Sequence, residues 1–186
     1  MSSFKPAFAA LCMASLGIAL WGCGKKEANA EAKKVNFAGI SGEKERIRQW
    51  ATEKGVPGLE AILKDEASSS ADHIAAISGL GTLKDNKDAT AALVRLARGA
   101  DLEDAYWAII ALGVQGAPET GELLREFSKS PDARRREAAC LGIYEYGDET
   151  LYPLIDEALR DDDRAVKAAA ELSKRRIQDR GAAASR

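Results

Sequence analysis

A chain of 186 residues with 46% apolar but only 6% aromatic residues must build its core from alanine and leucine, which favour helix over strand. A net charge of −2, with 30% charged residues, gives no global basic excess and so argues against nucleic acid as a partner. One histidine, His73, and three scattered cysteines, Cys12, Cys23 and Cys140, argue against a histidine-based metal centre and a disulfide framework.

From Pro6 to Gly24 no residue is charged, and Lys5 with the amino terminus supplies a short positive start. The apolar stretch 7–20 has the length of a signal-peptide core. A transmembrane helix is the alternative, but Pro6, Ser15, Gly17 and Gly22 are weak residues for a span. The stretch then closes on Leu20-Trp21-Gly22-Cys23. This resembles the lipobox of bacterial lipoproteins, with Leu three residues before the cysteine and Gly just before it. Trp21 departs from the pattern, which prefers a small or aliphatic residue there, and Cys12 is a poor rival because Leu11 precedes it. The resemblance implies a signal peptide over 1–22 and diacylglycerol on the Cys23 thiol. Each buried methylene of an acyl chain adds about 0.8 kcal/mol of anchoring. Gly24, rather than Asp, follows the cysteine, which implies the periplasmic face of the outer membrane in a Gram-negative organism.

The next segment, 23–42, carries Lys25, Lys26, Lys33 and Lys34 among Glu27, Glu31 and alanines, with too few apolar residues for a core. It is expected to be a flexible tether of about 20 residues.

The remainder repeats itself. A shift of 31 brings "PDARRREAACLG" (131–142) onto "DDRAVKAAAELS" (162–173), matching Asp132 with Asp163, Arg136 with Lys167, and Leu141 with Leu172. Leu80-Gly81, Leu112-Gly113 and Leu141-Gly142 recur at intervals of 32 and 29. Between them lies a second helix per unit, at 89–98, 118–129 and 150–160, in which Leu93, Leu124 and Ile155 are 31 apart. A first, degenerate unit runs from Glu43 to about Glu66. Each Gly after Leu is expected to end its helix in a left-handed residue. Pro118 and Pro131 mark helix starts, and Pro153 falls in a first turn. Asp132 with Arg136, and Asp163 with Lys167, stand four apart and are expected to pair along their helices.

These units resemble HEAT repeats of the short bacterial type, also found in phycobilisome lyases, with Asp, a Val-Arg pair, two alanines and Leu-Gly in order. "DDDRAVKAAAEL" (161–172) follows the motif with Lys167 for the arginine, and "PDARRREAACLG" follows it with Arg135 for the valine. The third unit departs, since Trp107 stands near the arginine slot. The resemblance covers Glu43 to about Gln178. It implies an all-α fold: a right-handed α-solenoid of about four HEAT-like helix pairs over 43–178, with a C-terminal half repeat, a concave face of second helices and a disordered tail at 179–186.

Little chemistry stands out. His73 has no second histidine or carboxylate motif beside it and is expected at the surface, and Cys140, beside Ala138 and Ala139, is expected to be a buried structural thiol. No phosphate loop or Ser-His-Asp set is present, and no cofactor or metal is implied. Lys64, Arg98, Lys129 and Arg160 recur at 34, 31 and 31, so a solenoid would align them as a basic ladder. Each also lies near a helix C-terminus, where a cation is favoured by about 0.3–1 kcal/mol without any partner. Tyr106 and Trp107, with Tyr144 and Tyr146, are the aromatic candidates, Trp107 being either packed between units or exposed as an anchor. The expectation is therefore a non-catalytic, lipid-anchored, protein-binding scaffold or assembly factor at the bacterial envelope, with no nucleic-acid or small-molecule partner. A lyase-like accessory protein assisting an enzyme, and a cytoplasmic nucleic-acid-binding array if the signal is not used, are the alternatives.

Overall fold

The computed structural model describes the backbone of residues 37–184 and the burial of residues 44–182. The signal peptide expected at 1–22, Cys23 and the tether up to residue 36 lie outside the described residues. The described residues form eight α-helices, one 3-10 turn and no strand. The helices are α1 (Phe37–Lys64), α2 (Ser70–Thr82), α3 (Lys87–Arg98), α4 (Leu102–Gln115), α5 (Thr120–Ser128), α6 (Ala133–Tyr146), α7 (Tyr152–Ala158) and α8 (Arg164–Ala184). The 3-10 turn, Glu149–Leu151, leads into α7. The chain divides into two units, Met1–Gln49 and Trp50–Arg186, and α2 to α8 belong to the second.

The architecture is an α-solenoid. The degenerate first unit is α1, broken at Gly55, whose φ of 57° and ψ of −171° leave the helical region just ahead of Pro57. Glycine tolerates that left-handed φ, and proline starts a new helical arm without losing a needed N–H. Two expected boundaries move. Helix begins at Phe37, inside the expected tether, because extending an existing helix costs far less than nucleating one. The tail is not disordered from 179, since α8 continues to Ala184. Alanine is the strongest helix former, and the Arg180 guanidinium lies 4.6 Å from the centroid of the Tyr144 ring, which holds this stretch against α6.

The helices alternate between two layers. α2, α4, α6 and α8 stack on one another in the most extensive helix contacts of the repeat unit, whereas α5 and α7 barely touch. We call the closely packed layer of α2, α4, α6 and α8 the inner layer, and α3, α5 and α7 the outer one. Leu93, Leu124 and Ile155 of the second layer, and Leu80, Leu112 and Leu141 of the first, are all buried in one continuous core.

The glycines after leucine do not end helices. Gly81, Gly113 and Gly142 are buried inside α2, α4 and α6, and the left-handed caps are Gly116 (φ 71°) and Gly147 (φ 76°) instead. The internal glycines serve close approach. A Cβ on Gly113 would lie 2.8 Å from the Gly142 Cα, and one on Gly81 would lie 3.0 Å from the Ala111 Cβ. The first layer thus packs backbone to backbone, which only glycine and alanine permit.

The aspartates also act differently from expectation. Asp132 accepts from the Arg135 amide at 3.2 Å and caps α6, and Asp163 accepts from the Ala165 amide at 2.7 Å and starts α8. Asp101 caps α4, and Ser69 caps α2 in a reciprocal box with Asp72. Capping satisfies amides that have no partner inside the helix, at about 1 kcal/mol each. Arg136, freed from Asp132, reaches forward to the next unit.

Gly113→Ala is therefore expected to lower stability by about 1–3 kcal/mol through overpacking. Gly181→Ala, where a Cβ meets nothing within 4 Å, is expected to raise it by about 0.5–1 kcal/mol. Urea midpoints of the two variants decide the matter; an unchanged midpoint for Gly113→Ala would show that the α4–α6 contact yields freely.

Candidate functional site

The four residues of the basic ladder all sit at helix C-terminal ends: Lys64 closes α1, Arg98 closes α3, Lys129 follows α5 and Arg160 follows α7. All four are exposed. They are not four equivalent charges, because Lys64 lies 3.5 Å from Glu60 and Arg98 lies 2.6 Å from Glu126 of α5. Two of the four positive charges are thus matched by carboxylates on their own layer.

Trp107 lies elsewhere, on the inner face. It is half-buried against the core, its indole N–H donates to Glu103 at 2.8 Å, and it meets the Tyr106 ring edge-on with centroids 5.1 Å apart. The packed and the exposed readings of Trp107 each describe one of its sides.

Around Trp107 the inner helices are joined by side chains 31 residues apart. His73 Nδ1 lies 3.2 Å from Asp104, the Tyr106 hydroxyl donates to Glu137 at 3.2 Å, and Arg134 meets Glu103 at 3.1 Å. Arg134 also reaches Glu137 at 3.2 Å and lies 3.9 Å from the Tyr106 ring centroid. Burial, reinforced by Glu137, holds the Tyr106 phenol far above its ordinary pKa, so it stays a donor. Burial opposes the charge on Arg134, but Glu137, Glu103 and Tyr106 outweigh it and raise its pKa. Sequence reasoning singled out Trp107 and His73 but missed Asp104, Glu103, Arg134 and Glu137. The spacing of 31 was the available signal, since complementary residues recur at that interval.

Two neighbouring arginines tie consecutive units together. Arg135 reaches back, its Nε donating to the Ala97 carbonyl at 3.2 Å and its second arm bonding the Gly99 carbonyl. Arg136 reaches forward to Asp161 in a two-pronged pair at 2.8 and 2.9 Å, with side-chain exposures of 20% and 14%. This hydrogen bond holds the Asp161 carboxyl below the usual range. A third tie is Gln115 of α4, which is buried, accepts from the Thr90 hydroxyl at 2.9 Å and donates to the Leu83 carbonyl at 3.1 Å.

Cys140 is a buried free thiol, pushed up to about 12 by burial and by nearby Asp161 and Glu137, so at neutral pH it is a protonated packing group. A cleft of about 300 Å³ opens between the α1 and α3 ends and the start of α4, lined by Glu60, Lys64, Arg95 and Asp104 among others. Its charged groups are already engaged, Glu60 with Lys64 and Arg95, and Asp104 with His73. Among the described residues no cluster of three His, Cys, Asp or Glu side chains is placed to hold a metal ion. No described helix is long and apolar enough to cross a membrane.

A family model described as HEAT repeats matches residues 95–175, from the end of α3 into α8. The chain carries HEAT-like repeats. No curated protein and no solved structure matches the chain. HEAT repeats generally mediate protein–protein interaction.

The Arg136–Asp161 pair has a pH signature. A depressed carboxyl pKa adds stability above the unfolded value, and that stability is lost as pH falls through the folded value. Arg136→Ala is therefore expected to cost about 1.5–3 kcal/mol at neutral pH, with the gap to the parent closing as pH drops below about 4. Denaturant melts of both proteins across that range measure it, and a gap independent of pH would remove the ionic contribution.

Proposed function

We propose that this chain is a membrane-anchored, non-catalytic HEAT-repeat lipoprotein that acts as a protein-binding scaffold or assembly factor at the bacterial envelope. The observation that carries the binding role is the inner face of α2, α4 and α6. There, ion pairs and hydrogen bonds between residues 31 apart set a firm surface around a half-open Trp107. A surface whose side chains are already held in place loses little entropy when a partner docks. The anchor rests on the Leu20-Trp21-Gly22-Cys23 pattern after an uncharged stretch. Acyl chains on Cys23 hold the protein to the membrane, and the segment to residue 36 carries the repeats away from it. Gly24 directs the anchored form to the outer membrane where the organism has one, facing the periplasm. In such a setting the scaffold gains effective concentration toward envelope partners without any added contact.

Cys23→Ser tests the anchor. Cells fed labelled palmitate are expected to label the parent chain and not the variant, and the variant is expected to leave the detergent-soluble membrane fraction. Equal labelling of the two proteins would place the acyl chains elsewhere or remove them from the account.

A further inference from the structure

α4 carries the most prominent apolar groups that the described residues leave in the open. Leu102 and Val114 are the exposed large hydrophobics, at 41% and 38%, and half-buried Trp107 lies between them. Glu103, Trp107 and Val114 share one stripe of the helix, four and seven residues apart. Leu102 lies about 140° around the helix from Trp107, so the ridge is made by Trp107 and Val114, about 10 Å apart. Its height has a sequence cause. Ala76, Ala138 and Ala169, each a multiple of 31 from Trp107, are buried where the inner helices close on one another. An indole cannot enter so narrow a site, so Trp107 lies half outside it.

The rim of this ridge is acidic at its Trp107 end, whereas the Lys84 ammonium donates to the Val114 and Gln115 carbonyls at the other. Asp101, Glu103 and Asp104 stand at the start of α4, and Glu137 faces them from α6. Arg134 is the guanidinium among them, and it is shared by Glu103 and Glu137. Four carboxylates thus face the Arg134 guanidinium and the His73 imidazole. Such a rim repels phosphate and acidic chains and attracts lysine and arginine. An extended peptide has no sheet edge here to satisfy its backbone, whereas a helix satisfies its own and offers side chains at i, i+4 and i+7.

We propose that the Trp107–Val114 ridge binds a basic amphipathic helix of a protein partner. Its apolar stripe covers Trp107, and lysines or arginines along its edge face Glu103 and Glu137. This assignment rests on the protein-binding reading above and adds the chemistry of the partner. Aromatic anchors dominate such interfaces, while the charged rim sets selectivity and the rate of encounter.

The test titrates the full chain into two fluorescein-labelled helical peptides of about four turns. Both carry leucine at i, i+4 and i+7; one is flanked by lysine, the other by glutamate. The lysine peptide is expected to bind with a Kd below about 1 mM, more weakly as salt rises, and the glutamate peptide is expected not to bind. Trp107→Ala and Val114→Lys are each expected to weaken the lysine peptide about tenfold, and Glu103→Gln with Glu137→Gln to flatten its salt dependence. Val114 is on the surface, so its variant should keep the parent melting curve even if Trp107→Ala unfolds. Failure of the lysine peptide to bind, equal binding of both peptides, or unchanged binding by Val114→Lys would overturn the proposal. A partner cross-linked in the envelope equally by the parent and Val114→Lys would leave the scaffold reading standing while removing this ridge from it.

Discussion

Backbone meeting backbone at Gly113 and Gly142 sets the geometry of the whole array. Once α4 and α6 lie that close, side chains one repeat apart come within bonding distance, and the inner layer becomes the dense one. The outer helices, of 12, 9 and 7 residues, are held mainly by the leucines and isoleucine they insert between the inner ones. A larger residue at the glycine positions would separate the helices and lengthen the 3.2 Å pairs of His73 with Asp104 and Tyr106 with Glu137 together. Dispersion packing is thus the primary cause, and the polar pairs report on its register.

The polar interactions divide by burial. Arg95 with Glu60, Arg98 with Glu126 and Lys174 with Asp156 lie on exposed surface, where such pairs contribute about 0–1 kcal/mol and weaken with salt. Arg136 with Asp161, Gln115 with its two partners, and Ser173 with the Cys140 carbonyl at 3.0 Å lie deeper. Leaving any of these unpaired would strand a polar group away from water, which costs more than the bond itself supplies. The register of the array is therefore fixed by few residues, and most of the charged surface is free to vary without moving the helices.

The fold was legible because its period was. Leu93, Leu124 and Ile155 stand 31 apart in the sequence, and all three are buried. The two-layer pairing followed from the same interval. What one sequence did not disclose was the direction in which polar side chains reach. Asp132 and Arg136 satisfy a within-helix spacing, yet the aspartate turns to the helix amides and the arginine crosses to Asp161, because capping and a two-pronged bond outweigh a solvated pair. Gly81, Gly113 and Gly142 follow leucine as terminal glycines do, but their role depends on a neighbouring helix that local pattern cannot show. The inner face was missed for a related reason: Glu103, Arg134 and Glu137 look like ordinary surface charge until the 31-residue offset is applied to polar positions as well as apolar ones.

Arg135 and Arg136 give the array a property that concerns its history rather than its stability. One bonds carbonyls at the end of the preceding outer helix, and the other bonds an aspartate in the following turn. Adjacent residues thus carry the connections to both neighbours, and each junction is complete within about one period. Gene segments cut at this interval could be duplicated or lost with both junctions restored, whereas a slip of one codon would misalign the two arginines at once.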